Sequence, residues 1–319
     1  MADTVTKEYM RSNKVFADAF NYLIYDGEQV VKPALLQELD TTEIVIPFAL
    51  DEKENPAEDV VQKYRDVLKS AVIMQDAEAS YILLGVENQT EIHYAMPVRN
   101  IIYDALQYGK QVSEVAKRHK SKGDRKGHNK GEYLSGFYKE DRIRPVITLV
   151  VHFGADEWDG PLSLYDMMDL KNERLLEYVQ DYRIFLIDPY KLTNEDLEKF
   201  SSSLGDVLGY IKYSKDKKAL SKFLNDNQVM IMDNDAARVI RDVTNTPIYV
   251  PDGKGEIDMC KAVRDMIDES KQEGMAAGEL NKAKKMALKM YKKGDSIEEI
   301  AEMAEVSVDQ VKEWINSAV

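Results

Sequence analysis

The chain has 319 residues, 57 acidic against 43 basic side chains for a formal net charge of -14, and 44% apolar content. That is enough apolar material to build a core, and the charge argues against a protein that coats nucleic acid over its whole surface. A lone cysteine, Cys260, excludes an internal disulfide, four scattered histidines offer no spaced zinc ligands, and no stretch reaches the ~20 apolar residues of a membrane helix.

The N-terminal residues carry acids and polar groups throughout, with no apolar leader, so the expected location is cytoplasmic. Val15, Phe16, Ala19, Phe20, Leu23 and Ile24 recur at helical spacing and predict a first helix ending near Gly27. Residues 43–48 read as a short strand, followed by an acidic surface loop over 51–59. Residues 66–73 and 81–86 read as two strands joined by a turn over 74–80, the pattern of a hairpin. Pro97 suits a first helical turn, and Val98, Ile101, Ile102, Ala105, Val112 and Val115 form an apolar stripe running toward Arg118. Residues 117–131 read as a mobile basic loop, and 146–153 as a buried central strand because the run is continuously apolar. A further strand is expected at 184–187, mostly helical structure over 194–242, and a boundary over 244–256, where two prolines and two glycines collect. The remainder reads as helical. Ser296 with Glu299 and Ser307 with Gln310 start two short helices, the outline of a helix-turn-helix.

The chemistry-bearing pattern is at the hairpin. On a strand, Glu87 and Gln89 point to one face and Asn88 to the other. If the strands pair, Asp66 lies beside Glu87, and two such carboxylates suit Mg²⁺ or Mn²⁺. Taken alone, these acidic strand ends read first as ordinary surface groups, since a chain this acidic ends many strands in Asp or Glu.

Arg65-Asp66, the strand, Glu87-Asn88-Gln89 and the helix MPVRNIIYDALQY together resemble the Rpn family of recombination-promoting nucleases, also described as transposases of the YhgA-like type, in the PD-(D/E)XK nuclease superfamily. The resemblance implies an α/β fold: a restriction-endonuclease-like core, a mixed sheet flanked by helices, with a helical C-terminal region. It divides the chain into a nuclease-like core over 1–190, a helical extension over 191–250 and a helical tail over 251–319. It further implies a Mg²⁺-dependent DNA endonuclease in recombination or mobile-element biology. Asp66 and Glu87 match the metal-binding carboxylates, the Asn88 carbonyl a third ligand, and Gln89 the catalytic position that holds lysine in the wider superfamily.

Gln89 orients a water or a phosphate but brings no positive charge. Lys69 faces the opposite side of its strand and is no simple replacement. Arg99, Tyr103 and Gln107 share one helix face, with Arg99 expected to clamp phosphate and Tyr103 to act as a positioning group, or else to form a solvated face with Arg99 paired to a nearby acid. Asp18, Asn21 and His93 are accessory candidates; Asp18 and Asn21 read otherwise as plain surface residues, and a lone histidine such as His93 is more often structural.

DNA is the expected partner, held by Lys117, Arg118, Lys120, Lys122, Arg125 and Lys126. That run, residues 117–130, carries seven basic residues and one acid. Six lysines over 281–293 form a second basic stretch. The end of the tail, residues 295–319, has seven acids and one base, so packing or a homodimer through the C-terminal helices is favoured over DNA reading. The competing reading is a catalytically weak nuclease fold that binds nucleic acid or regulates through its helical tail.

Overall fold

The computed structural model describes residues 2–39, 42–43, 63–64, 66–75, 78–123, 129–169, 173–227 and 229–317. The strand expected at 43–48 (apart from residue 43), the acidic loop over 51–59, Arg125 and Lys126 lie outside them. The chain forms two compact units, one of Met1–Thr246 with Val250–Asp258, the other of Pro247–Tyr249 with Met259–Val319.

In the first unit, α1 (Ala2–Arg11) and α2 (Asn13–Tyr25) precede the sheet. Helix α2 carries the expected stripe, with Val15, Phe16, Ala19 and Phe20 buried. It ends on Asp26 (φ 52) and Gly27 (φ 93); a Cβ on Gly27 would lie 2.9 Å from Lys199, so glycine is required there twice over. Next come β1 (Gln37–Glu38), β2 (Thr42–Glu43), β3 (Lys63–Tyr64), β4 (Val67–Gln75) and β5 (Glu78–Gln89). Strands β4 and β5 are the expected hairpin, but the ladder runs on to Gln75 opposite Glu78. Most of the segment read as a turn is therefore strand.

Helices α3 (Met96–Lys122) and α4 (Lys130–Ser135) lead to β6 (Val146–His152) and β7 (Phe185–Ile187). The main sheet has the order β1-β4-β5-β6-β7, with β1, β4 and β5 antiparallel and β5, β6 and β7 parallel. Strand β6 is the buried centre that its sequence predicts, with Leu149, Val150 and Val151 fully enclosed. After the sheet come α5 (Asn194–Glu198), α6 (Leu204–Tyr213), α7 (Lys217–Asn227), β8 (Ile231–Asp233), α8 (Asn234–Thr244) and β9 (Glu256–Asp258), which pairs with β8. Helix α1 packs on α8 and on the sheet, and the Tyr9 hydroxyl meets Ser203 Oγ at 2.9 Å.

The second unit holds α9 (Met259–Lys293), α10 (Ile297–Met303) and α11 (Val308–Asn316). Ser296 and Glu299 form a reciprocal capping box, and Ser307 caps Gln310. Val311, Trp314 and Ile315 cluster with Ala287, Ile300, Ala301 and Ala304, so the apolar face of α11 is covered within the chain. No helix among the described residues is long and apolar enough to cross a membrane.

Two sequence expectations are corrected here. The basic segment is not a loop from residue 117; α3 continues to Lys122 and stops on Gly123, whose φ of 65 supplies the left-handed cap. The apolar stripe of α3 is not its buried face. Asn100, Tyr103, Asp104 and Gln107 are buried, while of the stripe Val98, Ile101 and Ile102 are half-buried, Ala105 and Val112 are exposed, and only Val115 is buried. The sheet surface opposite is polar at Glu87 and Thr148, and matching buried polar groups outweighs burying a stripe of aliphatic ones.

Candidate functional site

Because Val67 pairs with Val86, the residue before β4 falls beside Glu87. The Asn88 main-chain N–H donates to Asp66 Oδ2 at 2.9 Å, fixing that carboxylate at the rim of the sheet. Lys7 of α1 approaches the other oxygen, with Nζ 3.7 Å from Oδ1. Burial pushes the Asp66 carboxyl above its ordinary pKa, against the opposing pull of the Asn88 N–H, Lys7 and Arg99. Keeping this carboxylate charged is therefore costly where it stands, a cost that a cation beside it offsets.

Glu87 is fully enclosed, and Arg99 Nη2 of α3 lies 2.8 Å from its Oε2. Burial works hardest against the Arg99 charge, yet Glu87, Tyr103 and Asp66 together outweigh it and the net shift is upward. The Arg99 guanidinium also stands over the Tyr103 ring, 5.7 Å from its centroid. The expected phosphate clamp is thus engaged with the expected metal ligand. Gln89 folds back so that Nε2 donates to the Asn88 carbonyl at 2.9 Å. The Gln89 carbonyl in turn accepts from Phe153 N–H at 2.7 Å and faces His152 Nδ1 at 3.1 Å. Strand β5 therefore ends in a dense set of main-chain contacts that hold residues 87–89 in place.

Below this corner, Asp104 of α3 accepts from Thr148 Oγ1 at 2.5 Å and from Tyr182 OH at 2.6 Å, with Gln107 buried beside it. Lys69, on the opposite face of β4 as its position predicts, donates to Arg11 O and Asn13 Oδ1 and sits over the Phe16 ring. Burial lowers its pKa.

The accessory candidates have other partners. Asp18 accepts from the N–H and hydroxyl groups of both Ser201 and Ser202. Asn21 brackets Val31, donating to its carbonyl at 3.1 Å and accepting from its N–H at 2.7 Å. His93 Nδ1 accepts from Ala95 N–H at the start of α3. These contacts tie chain segments together.

Lys117, Arg118, Lys120 and Lys122 are exposed on the last turns of α3. His119 Nε2 lies 2.8 Å from Asp141 Oδ2, and its ring stacks on Tyr138. Burial would raise the Asp141 pKa, but the Tyr138 N–H, His119 and Arg118 lower it on balance. From Arg99 to these basic residues the helix advances about 27 to 35 Å, so they form a separate surface.

Sequence reasoning missed Asp3 and Lys7. They are one turn apart on α1, where Asp3 Oδ1 accepts from Thr90 Oγ1 at 2.5 Å, just past the end of β5. The signal was present as i, i+4 spacing beside a Thr6, Tyr9, Met10 face that is buried. It was weak because two of the first helical positions, Thr4 and Val5, are β-branched.

Among the described residues, no three His, Cys, Asp or Glu side chains gather as a metal cage. The corner is a two-carboxylate site with a main-chain carbonyl, set on a mixed sheet and flanked by helices. Residues 47–237, more than half of the chain, match the family model described as "Putative transposase, YhgA-like". The chain belongs to that family. No curated protein and no solved structure matches it.

Proposed function

We propose that this protein is a metal-dependent DNA endonuclease built on a PD-(D/E)XK core, acting in the mobile-element biology that its family's description names. The observation that carries the reading is the strand register, which sets Asp66 beside Glu87 with Asn88 N–H bonded to Asp66. The donors are all oxygen, and a carboxyl raised by burial beside a second carboxylate suits a hard cation, so the residues fit Mg²⁺ or Mn²⁺. Asp66, Glu87 and the Asn88 carbonyl would hold it, once Arg99 and the Gln89 amide give up their present contacts. When bound, the ion supplies charge neutralisation at the phosphate.

This chain's own groups do the rest. Arg99, released from Glu87, reaches a phosphate oxygen, Tyr103 braces it, and the Gln89 amide orients the attacking water. The water oxygen bonds to phosphorus, the bond from phosphorus to one sugar oxygen breaks, and a water proton ends on that oxygen. Lys117, Arg118, Lys120 and Lys122 contact phosphates about one duplex turn away, supplying affinity without sequence choice.

A second reading has an observation of its own. The closed Glu87–Arg99 pair and neutral Gln89 also describe a nuclease fold retained for binding or regulation. Supercoiled plasmid separates the two. Nicking with Mg²⁺ or Mn²⁺ that is lost in EDTA and in folded Asp66→Ala supports the nuclease. DNA binding without cleavage under any metal, in parent and variant alike, supports the second reading and overturns the first.

A further inference from the structure

We propose that Lys7 is the cation that meets the DNA backbone at the Asp66 corner, contacting the phosphate next to the one that is cut; this rests on the nuclease reading above. Hydrolysis of a phosphodiester concentrates negative charge at a site already holding two carboxylates, and a cationic side chain lowers that cost. The described cations nearby are engaged elsewhere. Arg99 is held by Glu87 at 2.8 Å and, once released, is committed to the phosphate that is cut, and Lys69 is buried on the other face of β4 against Arg11 and Asn13. The basic tip of α3 is about 30 Å along its helix.

Lys7 differs from each of these. Its one described contact, to Asp66 Oδ1 at 3.7 Å, is too long for a hydrogen bond, and its side chain is 28% exposed. A partly exposed ion pair of that length holds loosely, so the ammonium is available to a stronger anion. Its base is firm: Thr6, Tyr9 and Met10 bury the neighbouring face of α1, and Asp3 one turn earlier is tied to Thr90. A compact charge on a flexible stem mounted on a fixed helix suits a backbone phosphate.

The test titrates a short DNA duplex into parent, Lys7→Ala and Lys7→Arg in EDTA at several salt concentrations. Loss of one phosphate contact lowers the log-log salt slope of Lys7→Ala by about one, and Lys7→Arg restores it. Cleavage at saturating Mg²⁺ should fall on the order of 100-fold in Lys7→Ala. Mg²⁺ affinity measured by calorimetry should hold or tighten, because removing one cation beside Asp66 favours another. A merely structural ion pair would leave the salt slope unchanged, and that result overturns the proposal. A parent that binds duplex without cutting it, and whose slope still falls in Lys7→Ala, removes the nuclease reading and leaves the phosphate contact standing. A parent that binds no duplex overturns both.

Discussion

Helices α3 and α11 both carry an apolar stripe that is plain in the sequence, and only α11 buries it. Trp314 and Ile315 of α11 close over alanine and isoleucine from α9 and α10, a surface with nothing polar to satisfy. Helix α3 faces Glu87 and Thr148 and turns Arg99, Asn100, Tyr103, Asp104 and Gln107 toward them. Periodicity tells that a helix has two faces, whereas the partner surface decides which goes in.

The largest expected effect is on the apolar side of the comparison. Trp314→Ala should cost the α9–α11 unit about 3 to 5 kcal/mol by opening a cavity, read as loss of amide protection over 287–315 with the first unit unchanged. Asp104→Ala should cost about 2 to 3 kcal/mol in urea unfolding, because it strands the Thr148 and Tyr182 hydroxyls. A cost as small as that of a surface change would mean the polar seam is not what holds α3.

At the rim of that seam, Asp66 has a raised pKa, so its folded form binds the proton more tightly than the unfolded chain does. Its contribution is full below the ordinary carboxylate range and is lost as pH rises through the raised value. Asp66→Asn should therefore melt higher than parent at pH 7, with the gap closing as pH falls toward 4. The smallest effect belongs to the outer stripe. Val112→Lys should change stability by less than about 0.5 kcal/mol, and a larger loss would show that this stripe is covered after all.

Much of the fold was legible for local reasons. The β4–β5 hairpin, the β6 core strand, α2 with its glycine stop and the two capped tail helices each follow from patterns within a dozen residues. Helix α1 was not legible, since its short face is read only against α8 and the sheet, more than 200 residues away for α8. At the candidate site, Asp66 and Glu87 came from spacing plus resemblance, because register follows from the hairpin. The Arg99–Glu87 pair needed the direction in which α3 turns, and Lys7 needed α1. Asp18 read as an accessory acid because a carboxylate's partners, here two serines 183 and 184 residues on, leave no trace in its own neighbourhood.

Those long ties also order events in time. Asp18 waits for Ser201 and Ser202, Tyr9 for Ser203, and α1 for α8, which ends at Thr244. During synthesis the hairpin with Asp66 and Glu87 can pair early and offer α1 its sheet contacts, while the α8 side of the helix bearing Lys7 stays uncovered until three quarters of the chain has left the ribosome. A nascent fragment that ends before residue 200 carries both carboxylates and the sheet side of α1's seat, and still lacks Ser203 and α8, which close the other side.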